Sequence, residues 1–163
     1  MPNEKRWLPA LALVALLLGC DGVAQRELKA GESTRDDVTR LMGKPQMIWQ
    51  EDDGRVFMEY PRGPEGHETW LVEVGPDGRY RGMRNLLVPE NFARVRPGMT
   101  RDEVRRVLGA PTEQVTFQRK QEVVWSWRHH ADQRRSEFFN VHFDLEGRVR
   151  STSTSPDPKA IGP

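Results

Sequence analysis

Two kinds of hydrophobic pattern alternate along the chain, and the pair occurs twice. In residues 34–45 and 100–111, apolar side chains stand at positions i, i+3 and i+4, which predicts a short helix with one apolar face. After each of these segments apolar and polar residues alternate with period two, which is typical of half-buried β-strands. The strands predicted in this way cover 56–60, 70–74, 79–86, 123–127, 139–143 and 148–154.

The two helical segments are copies of one motif, identical at seven of twelve positions. Each copy opens with a capping box, in which a threonine caps the helix and an acid three residues later reaches back to its amide. The pairs are Thr34 with Asp37 and Thr100 with Glu103. Each copy closes with a glycine suited to the left-handed position, Gly43 or Gly109, and a proline two residues later prevents continuation.

A helix of two turns is not stable alone in water, so each must pack on the strands that follow it. We therefore expect an α+β fold of two tandem repeats. Each repeat is a short helix, or a helical turn such as 89–95 plus a helix, packed on a small antiparallel sheet of three or four strands. The expected divisions are a signal peptide 1–19, a lipidated tether 20–27, repeats 28–88 and 89–154, and a disordered tail 155–163.

The N-terminus has the features of an export signal. Lys5 and Arg6 precede an apolar run over 8–18, whose length as a helix, about 16 Å, is too short for a hydrocarbon core of roughly 30 Å. Leu17-Leu18-Gly19-Cys20 resembles a lipobox, which implies cleavage before Cys20 and acylation, palmitate included, of that residue. Cys20 is the single cysteine of the chain. Asp21 resembles an inner-membrane retention signal and leaves the choice of membrane open.

Composition and charge restrict the possible partners. Removing 1–19 takes away Glu4, Lys5 and Arg6 and leaves equal numbers of basic and acidic residues. A neutral chain with mixed charges gives no electrostatic reason to bind nucleic acid, and the predicted membrane attachment is through lipid. We expect no small-molecule substrate.

Motifs of catalytic chemistry are missing from the sequence, so we expect no enzyme, no catalytic residues, no cofactor and no metal. The paired acids in the motif are explained by capping. The adjacent His129 and His130 have no third ligand at helical spacing, and His129, His130 and His142 are interpreted as surface polar residues.

Period-two alternation places the large apolar residues on two faces of the predicted sheets. One face carries Trp70, Val72, Val74, Val123, Trp125, Trp127, Phe139, Val141 and Phe143, which we expect to form core under the helices. The opposite face carries Phe57, Leu71, Val124 and Phe138 among polar residues. Exposed together, these four would form a candidate partner-binding face. The alternative is that loops or the other repeat cover them.

The pattern of 95–100, Val104 and 107–111, followed by a tryptophan-bearing hairpin, resembles the SmpA/OmlA lipoprotein domain family, which includes the BamE-like lipoproteins. The resemblance is most specific over 92–154 and weaker over 28–87, where 30–33 departs from the pattern. BamE itself, the best-known member, has one copy, and this chain has two. The tandem arrangement is similar to the fold of the β-lactamase inhibitor protein.

The resemblance implies a non-enzymatic accessory lipoprotein in outer-membrane β-barrel protein assembly or envelope integrity, with components of the assembly machine as partners. It favours the outer membrane, with the protein facing the periplasm, whereas Asp21 leaves the inner membrane open. The alternative function is an inhibitor-like binding module for an exported enzyme or another periplasmic protein.

Overall fold

Two four-stranded antiparallel sheets follow one another along the chain, each in simple sequential strand order. The computed structural model describes residues 20–63, 65–132 and 135–159, so the predicted signal peptide lies outside the described residues. The first repeat contains α1 (Cys20–Glu27), α2 (Arg35–Met42), β1 (Met47–Gln50), β2 (Val56–Pro61), β3 (Thr69–Val74) and β4 (Tyr80–Asn85). The second contains α3 (Pro89–Phe92), α4 (Arg101–Leu108), β5 (Glu113–Phe117), a 3₁₀ turn (Gln118–Lys120), β6 (Glu122–His130), β7 (Ser136–Phe143) and β8 (Val149–Pro156). The predicted α+β class with two repeats is confirmed.

Both predicted capping boxes form. The Asp37 amide donates to Thr34 Oγ1 at 3.2 Å and the Thr34 amide donates back to Asp37 Oδ2 at 2.9 Å. The corresponding distances between Thr100 and Glu103 are 3.2 and 2.7 Å. Each capping threonine also forms a β-bridge to the turn before the last strand of its repeat, which fixes the helix against the sheet in the same way in both copies.

The glycines that follow α2 and α4 differ from the prediction. Their φ angles are positive, at 84° for Gly43 and 76° for Gly109, but their ψ angles are −163° and −164°. These values lie in an extended region that is essentially restricted to glycine, and not in the left-handed helical region that the pattern predicted. The chain therefore turns out of the helix directly into the first strand of the sheet.

The sequence pattern missed the first strand of each sheet, β1 and β5. Both are short edge strands with mostly exposed residues: β1 has four residues, and in β5 polar and apolar residues alternate only over Gln114 to Phe117. The other six strands were found, with ends that differ by up to three residues. The predicted helical turn after residue 88 is confirmed as α3.

Each helix layer buries its apolar residues on one face of its own sheet, as the helix pattern and the tryptophan-rich face predicted. In the first repeat the buried cluster consists of Ala24, Leu28, Val38, Met42, Met58, Tyr60, Val72, Val74 and Tyr80. In the second it consists of Leu87, Val95, Val104, Leu108, Trp127, Phe139, Val141, Phe143 and Val149.

Two predicted boundaries are wrong within the described residues. The tether expected at 20–27 is helix α1, and its Ala24 belongs to the first core. The disordered tail expected at 155–163 starts too early, because β8 continues to Pro156 and the side chain of Asp157 is buried. Pairing of β8 with β7 and the contacts of Asp157 hold this part of the C-terminus on the second repeat.

Candidate functional site

Helix α1 begins at Cys20, the residue predicted to carry lipid. Ala24 is completely buried four residues later, and Leu28 is also part of the first core. Four residues of helix advance about 6 Å. The folded first repeat thus starts within about one helical turn of Cys20. In the described part of the chain, every helix is too short or too polar to span a bilayer.

The candidate partner-binding face does not exist as one exposed patch. The exposed fraction is between 2% and 7% for all four residues, Phe57, Leu71, Val124 and Phe138. Other parts of the chain therefore cover them, which was the alternative interpretation of the sequence. The four residues divide into two pairs, one on the outer face of each sheet, and the two pairs have different surroundings.

On the outer face of the first sheet, Phe57 and Leu71 form a small buried cluster with Leu86. Trp49 of β1 stacks on Phe57 with ring centroids 5.7 Å apart, and Arg106 of α4 lines the pocket beside them. This face therefore belongs to the junction between the repeats.

Glu59 of β2 is the polar centre of that junction. Its side chain is fully buried, and its Oε1 accepts a hydrogen bond from the Ala110 amide at 3.0 Å. Arg105 of α4 supplies the opposite charge at 3.4 Å. Burial raises the pKa of Glu59, while the Ala110 amide and the Arg105 guanidinium oppose that change. The second repeat thus supplies the groups that make a buried carboxylate of the first repeat tolerable.

The turn after α4 is held between the two sheets. The indole Nε1 of Trp127 donates to the Gly109 carbonyl at 3.1 Å, which connects the turn to the second core. On its other side, a Cβ added to Gly109 would lie 2.7 Å from Cγ2 of Thr69 in the first sheet. The close approach, together with the positive φ, explains why glycine is needed here.

The outer face of the second sheet is more open. Val124 lies at the bottom of a shallow groove of about 230 Å³, and Val115 and Phe117 border it while 44% and 43% exposed. Phe138 lies further along the same face beneath the Arg128 guanidinium, whose carbon is 5.0 Å from the ring centre. Exposed apolar surface on this face thus belongs to β5, which the sequence pattern missed.

Histidines from both repeats meet at one end of the junction. His67, in the loop after β2, stacks on His130 of β6, with centroids 3.8 Å apart and planes 11° from parallel. Burial lowers the pKa of His67, and the neighbouring His130 and Arg128 lower it further. Because the two imidazoles lie 63 residues apart in sequence order, only the fold brings them together, and no sequence signal indicated the pair.

Next to this stack, Ser136 Oγ donates to Asp157 Oδ2 at 2.7 Å and lies 2.9 Å from His67 Nε2. Arg128 Nε pairs with the same Asp157 oxygen at 2.9 Å. Since Ser136 gives its one proton to Asp157, His67 Nε2 must donate to the serine oxygen and is not available as a base. The three residue types of a catalytic triad are present, but in an order that does not activate the serine.

The other histidines lie apart from this arrangement. His129 is buried against Phe92, with centroids 4.7 Å apart, so its interpretation as a surface residue is wrong. His142 lies on the polar outer face, as expected, and its Nε2 lies 2.9 Å from Ser153 Oγ. Over the described residues, no three His, Cys, Asp or Glu side chains are grouped to hold a metal ion.

Residues 85–153, which make up almost the whole second repeat, match the family model of the outer membrane protein assembly factor BamE domain. The match confirms the resemblance that the second copy of the motif indicated. The family is envelope-associated and acts in outer-membrane protein assembly.

Two solved structures are similar over most of their length. One is YjgB, a DUF4309 family protein from Bacillus subtilis, at 17% identity and a TM-score of 0.31, covering 81% of this chain and 84% of that one. The other is a putative β-lactamase inhibitor protein from Streptococcus mutans, at 12% identity and a TM-score of 0.34, covering 83% and 95%. At these scores neither supports a functional inference. No curated protein matches the chain significantly.

Proposed function

We propose that the mature protein is a lipid-anchored, non-enzymatic envelope lipoprotein that acts as an accessory factor in outer-membrane β-barrel protein assembly or envelope integrity. The observation that carries the proposal is the match of residues 85–153 to the BamE domain. Components of the barrel-assembly machine are the expected partners. The outer membrane, facing the periplasm, is the expected site, and Asp21 makes the inner membrane the location to be tested against it.

The start of the fold supports a role close to the membrane. Acyl chains on Cys20 contribute roughly 0.8 kcal/mol per buried CH₂, so two or three chains give lasting attachment. Because α1 is already packed in the first core at Ala24, an acylated Cys20 leaves no long tether. The first repeat would then lie against the headgroups, and the second repeat would be presented by the junction at Glu59 and Arg105.

The test is recovery of partners from intact envelopes. We expect the acylated protein, pulled down after mild cross-linking, to recover barrel-assembly components and to fractionate with the outer membrane. A Cys20→Ser variant cannot be acylated, so it should either remain unprocessed or be released from the membrane. In both cases it should no longer recover barrel-assembly components. Fractionation with the inner membrane and recovery of no assembly component would contradict the proposal.

A second candidate, an inhibitor-like binding module for an exported protein, is favoured by one observation, the exposed Val115 and Phe117 on the open sheet. In that case Val115→Glu and Phe117→Glu should abolish capture of one defined exported enzyme and leave the unfolding midpoint nearly unchanged. Thr152→Lys on the exposed strand β8 is the matched control. Capture unaffected by either change would remove this candidate.

A further inference from the structure

Strand β5 forms one edge of the second sheet. The strand order is β5, β6, β7, β8, so β5 pairs with β6 on one side, and no strand of the described chain pairs with its other side. All five of its residues are exposed. An unpaired edge offers a row of backbone donors and acceptors that another extended chain can use.

The hydrogen bonds identify which backbone groups point outwards. Ser126 O accepts from the Thr112 amide, and the Arg128 amide donates to Thr112 Oγ1, so Ser126 and Arg128 turn their backbone groups towards β5. In an antiparallel pair these directions alternate along each strand. The residues of β5 opposite such positions therefore face β6, and the N–H and C=O groups of Gln114 and Thr116 point to the unpaired edge.

The other edges of the two sheets carry features that discourage pairing. The β3–β4 ladder has a register shift, and β4 carries the exposed Arg81 and Arg84. The β7–β8 ladder also has a register shift, and β8 ends at Pro156. Charges, bulges and proline are the usual protection of edge strands.

Strand β1 is uncharged, but it has only four residues, and the groove beside it is lined by charged side chains of α4, Asp102, Arg105 and Arg106. In contrast, the interior of β5, Gln114 to Thr116, has no charge, proline or glycine. Among the described strands, β5 is thus the edge least protected against an added strand.

The side chains of β5 specify the kind of strand that would fit. Val115 and Phe117 point to the open outer face and border the groove above Val124, whereas Gln114 and Thr116 point to the other face. An added strand would place every second side chain beside Val115 and Phe117 and the intervening ones beside polar neighbours. Alternation of apolar and polar residues over about ten residues is the pattern of a transmembrane β-strand.

We propose that the β5 edge binds an extended, unfolded segment of an outer-membrane barrel protein, in which apolar and polar residues alternate, as a fifth strand of the second sheet. This inference rests on the proposed role in outer-membrane protein assembly and names its substrate class. Backbone hydrogen bonds to Gln114 and Thr116 provide affinity without regard to sequence, and Val115 and Phe117 select for alternation.

The experiment uses the mature acylated protein in lipid nanodiscs and two fluorescent ten-residue peptides of equal composition. In one, Leu, Val and Tyr alternate with Thr, Gln and Ser; in the other, the apolar residues are grouped in one half. We expect the alternating peptide to bind at least about tenfold more tightly in fluorescence anisotropy, with empty nanodiscs as the blank. It should also slow amide exchange in residues 112–117, measured by mass spectrometry.

Thr116→Pro removes an outward-facing N–H, a change that an edge strand tolerates without loss of its own ladder. We expect this variant to fold normally and to bind the alternating peptide about tenfold more weakly, since hydrogen bonds and the fit of the strand are lost together. Gln50→Pro, at the corresponding position of β1, is the matched control and should bind normally.

Equal binding of the two peptides, or unchanged exchange at 112–117, would overturn the proposal. So would a loss with Gln50→Pro in place of Thr116→Pro, which would assign the site to β1. Protection of 112–117 that grows with protein concentration in the absence of peptide would assign the edge to a second copy. None of these results depends on recovery of assembly components from envelopes. A negative result here would therefore contradict the binding of a strand at β5 without contradicting the proposed function.

Discussion

The two repeats have the same architecture, but the outer face of the first sheet is covered and that of the second is largely open. The first outer face is covered, because the turn after α4 and the Arg105 side chain pack onto Glu59, near the cluster of Phe57 and Leu71. Within the described residues the second outer face is more open, and the exposed Val115 and Phe117 lie at its margin. Helix α4 and the turn after it thus pack against both sheets, whereas α2 packs against its own sheet.

The residues at corresponding positions of the two sheets reflect this difference. When the two sheets are aligned by their strand pairing, Glu59 corresponds to Ser126. The residue paired with Glu59, Leu71, then corresponds to Asn140, which pairs with Ser126. The first pair includes a buried carboxylate that needs Arg105, whereas Ser126 and Asn140 bond one another at 2.7 Å. The polar groups of the second outer face bond one another, so this face can remain exposed to water. The first outer face buries an acid, which requires hydrogen bonds and a cation from the second repeat.

The largest expected effect is on the core that anchors α4. Trp127 is fully buried and its indole holds the Gly109 carbonyl, so Trp127→Ala should lower the free energy of unfolding by about 3–5 kcal/mol. Because Gly109 also contacts the first sheet, we expect the two repeats to unfold together in one urea transition, followed by fluorescence and by far-ultraviolet circular dichroism. Leu145→Ala, at an exposed position, should leave the midpoint unchanged.

Tyr60→Ala at the corresponding position of the first repeat sharpens this test. If the repeats form one cooperative unit, either variant shifts the same single transition. Two separate transitions, with Trp127→Ala shifting only one of them, would show that the junction is weak and that the repeats are independent domains.

A smaller effect is expected at the junction itself. Arg105→Ala leaves the Glu59 carboxylate buried without its cation and should cost about 1–3 kcal/mol in urea unfolding. Thr39→Ala is the matched control at the corresponding position of α2, since Thr39 is exposed and donates to the Arg35 carbonyl of its own helix, and should cost less than about 0.5 kcal/mol. Equal costs for the two changes would mean that Arg105 does not support the covered face.

The pH dependence of the same pair has a defined sign. Burial raises the pKa of Glu59 above its ordinary 4.5, so the folded state takes up this proton before the unfolded state does. The stabilisation that results is fully present below pH 4.5 and is lost as the pH rises through the raised pKa. The cost of Arg105→Ala should therefore shrink as the pH is lowered towards 4.5, and Glu59→Gln should remove most of that change.

How far the sequence predicts this molecule depends on whether a feature is local. Helix starts can be predicted because the capping partners of Thr34 and Thr100 lie only three residues away. Sheet faces can be predicted because the alternating core residues lie on one strand. The alternation in β5 covers only Gln114 to Phe117, the shortest run that indicates a strand, and was therefore missed. The contacts of Glu59 with Arg105, and of His67 with His130, join residues more than 40 positions apart and have no pattern within either repeat.

The smallest expected effect concerns another contact between the repeats, the stack of His67 on His130. Burial, helped by His130 and Arg128, holds the pKa of His67 below its ordinary 6.5, while Asp157 acts in the opposite direction. The unfolded chain therefore binds this proton first as the pH falls. The contribution of His67 to stability is complete above pH 6.5 and is lost as the pH falls through the lowered pKa.

We expect His67→Gln, which keeps a donor for Ser136 Oγ, to lose less stability than the unchanged protein when the pH falls below about 6.5. His130→Phe retains a flat ring but removes one source of positive charge, so it should raise the pKa of His67 in a nuclear magnetic resonance titration. If the pKa of His67 did not move in His130→Phe, the imidazoles would not be coupled. The stack would then contribute ring packing between the repeats and no electrostatic coupling.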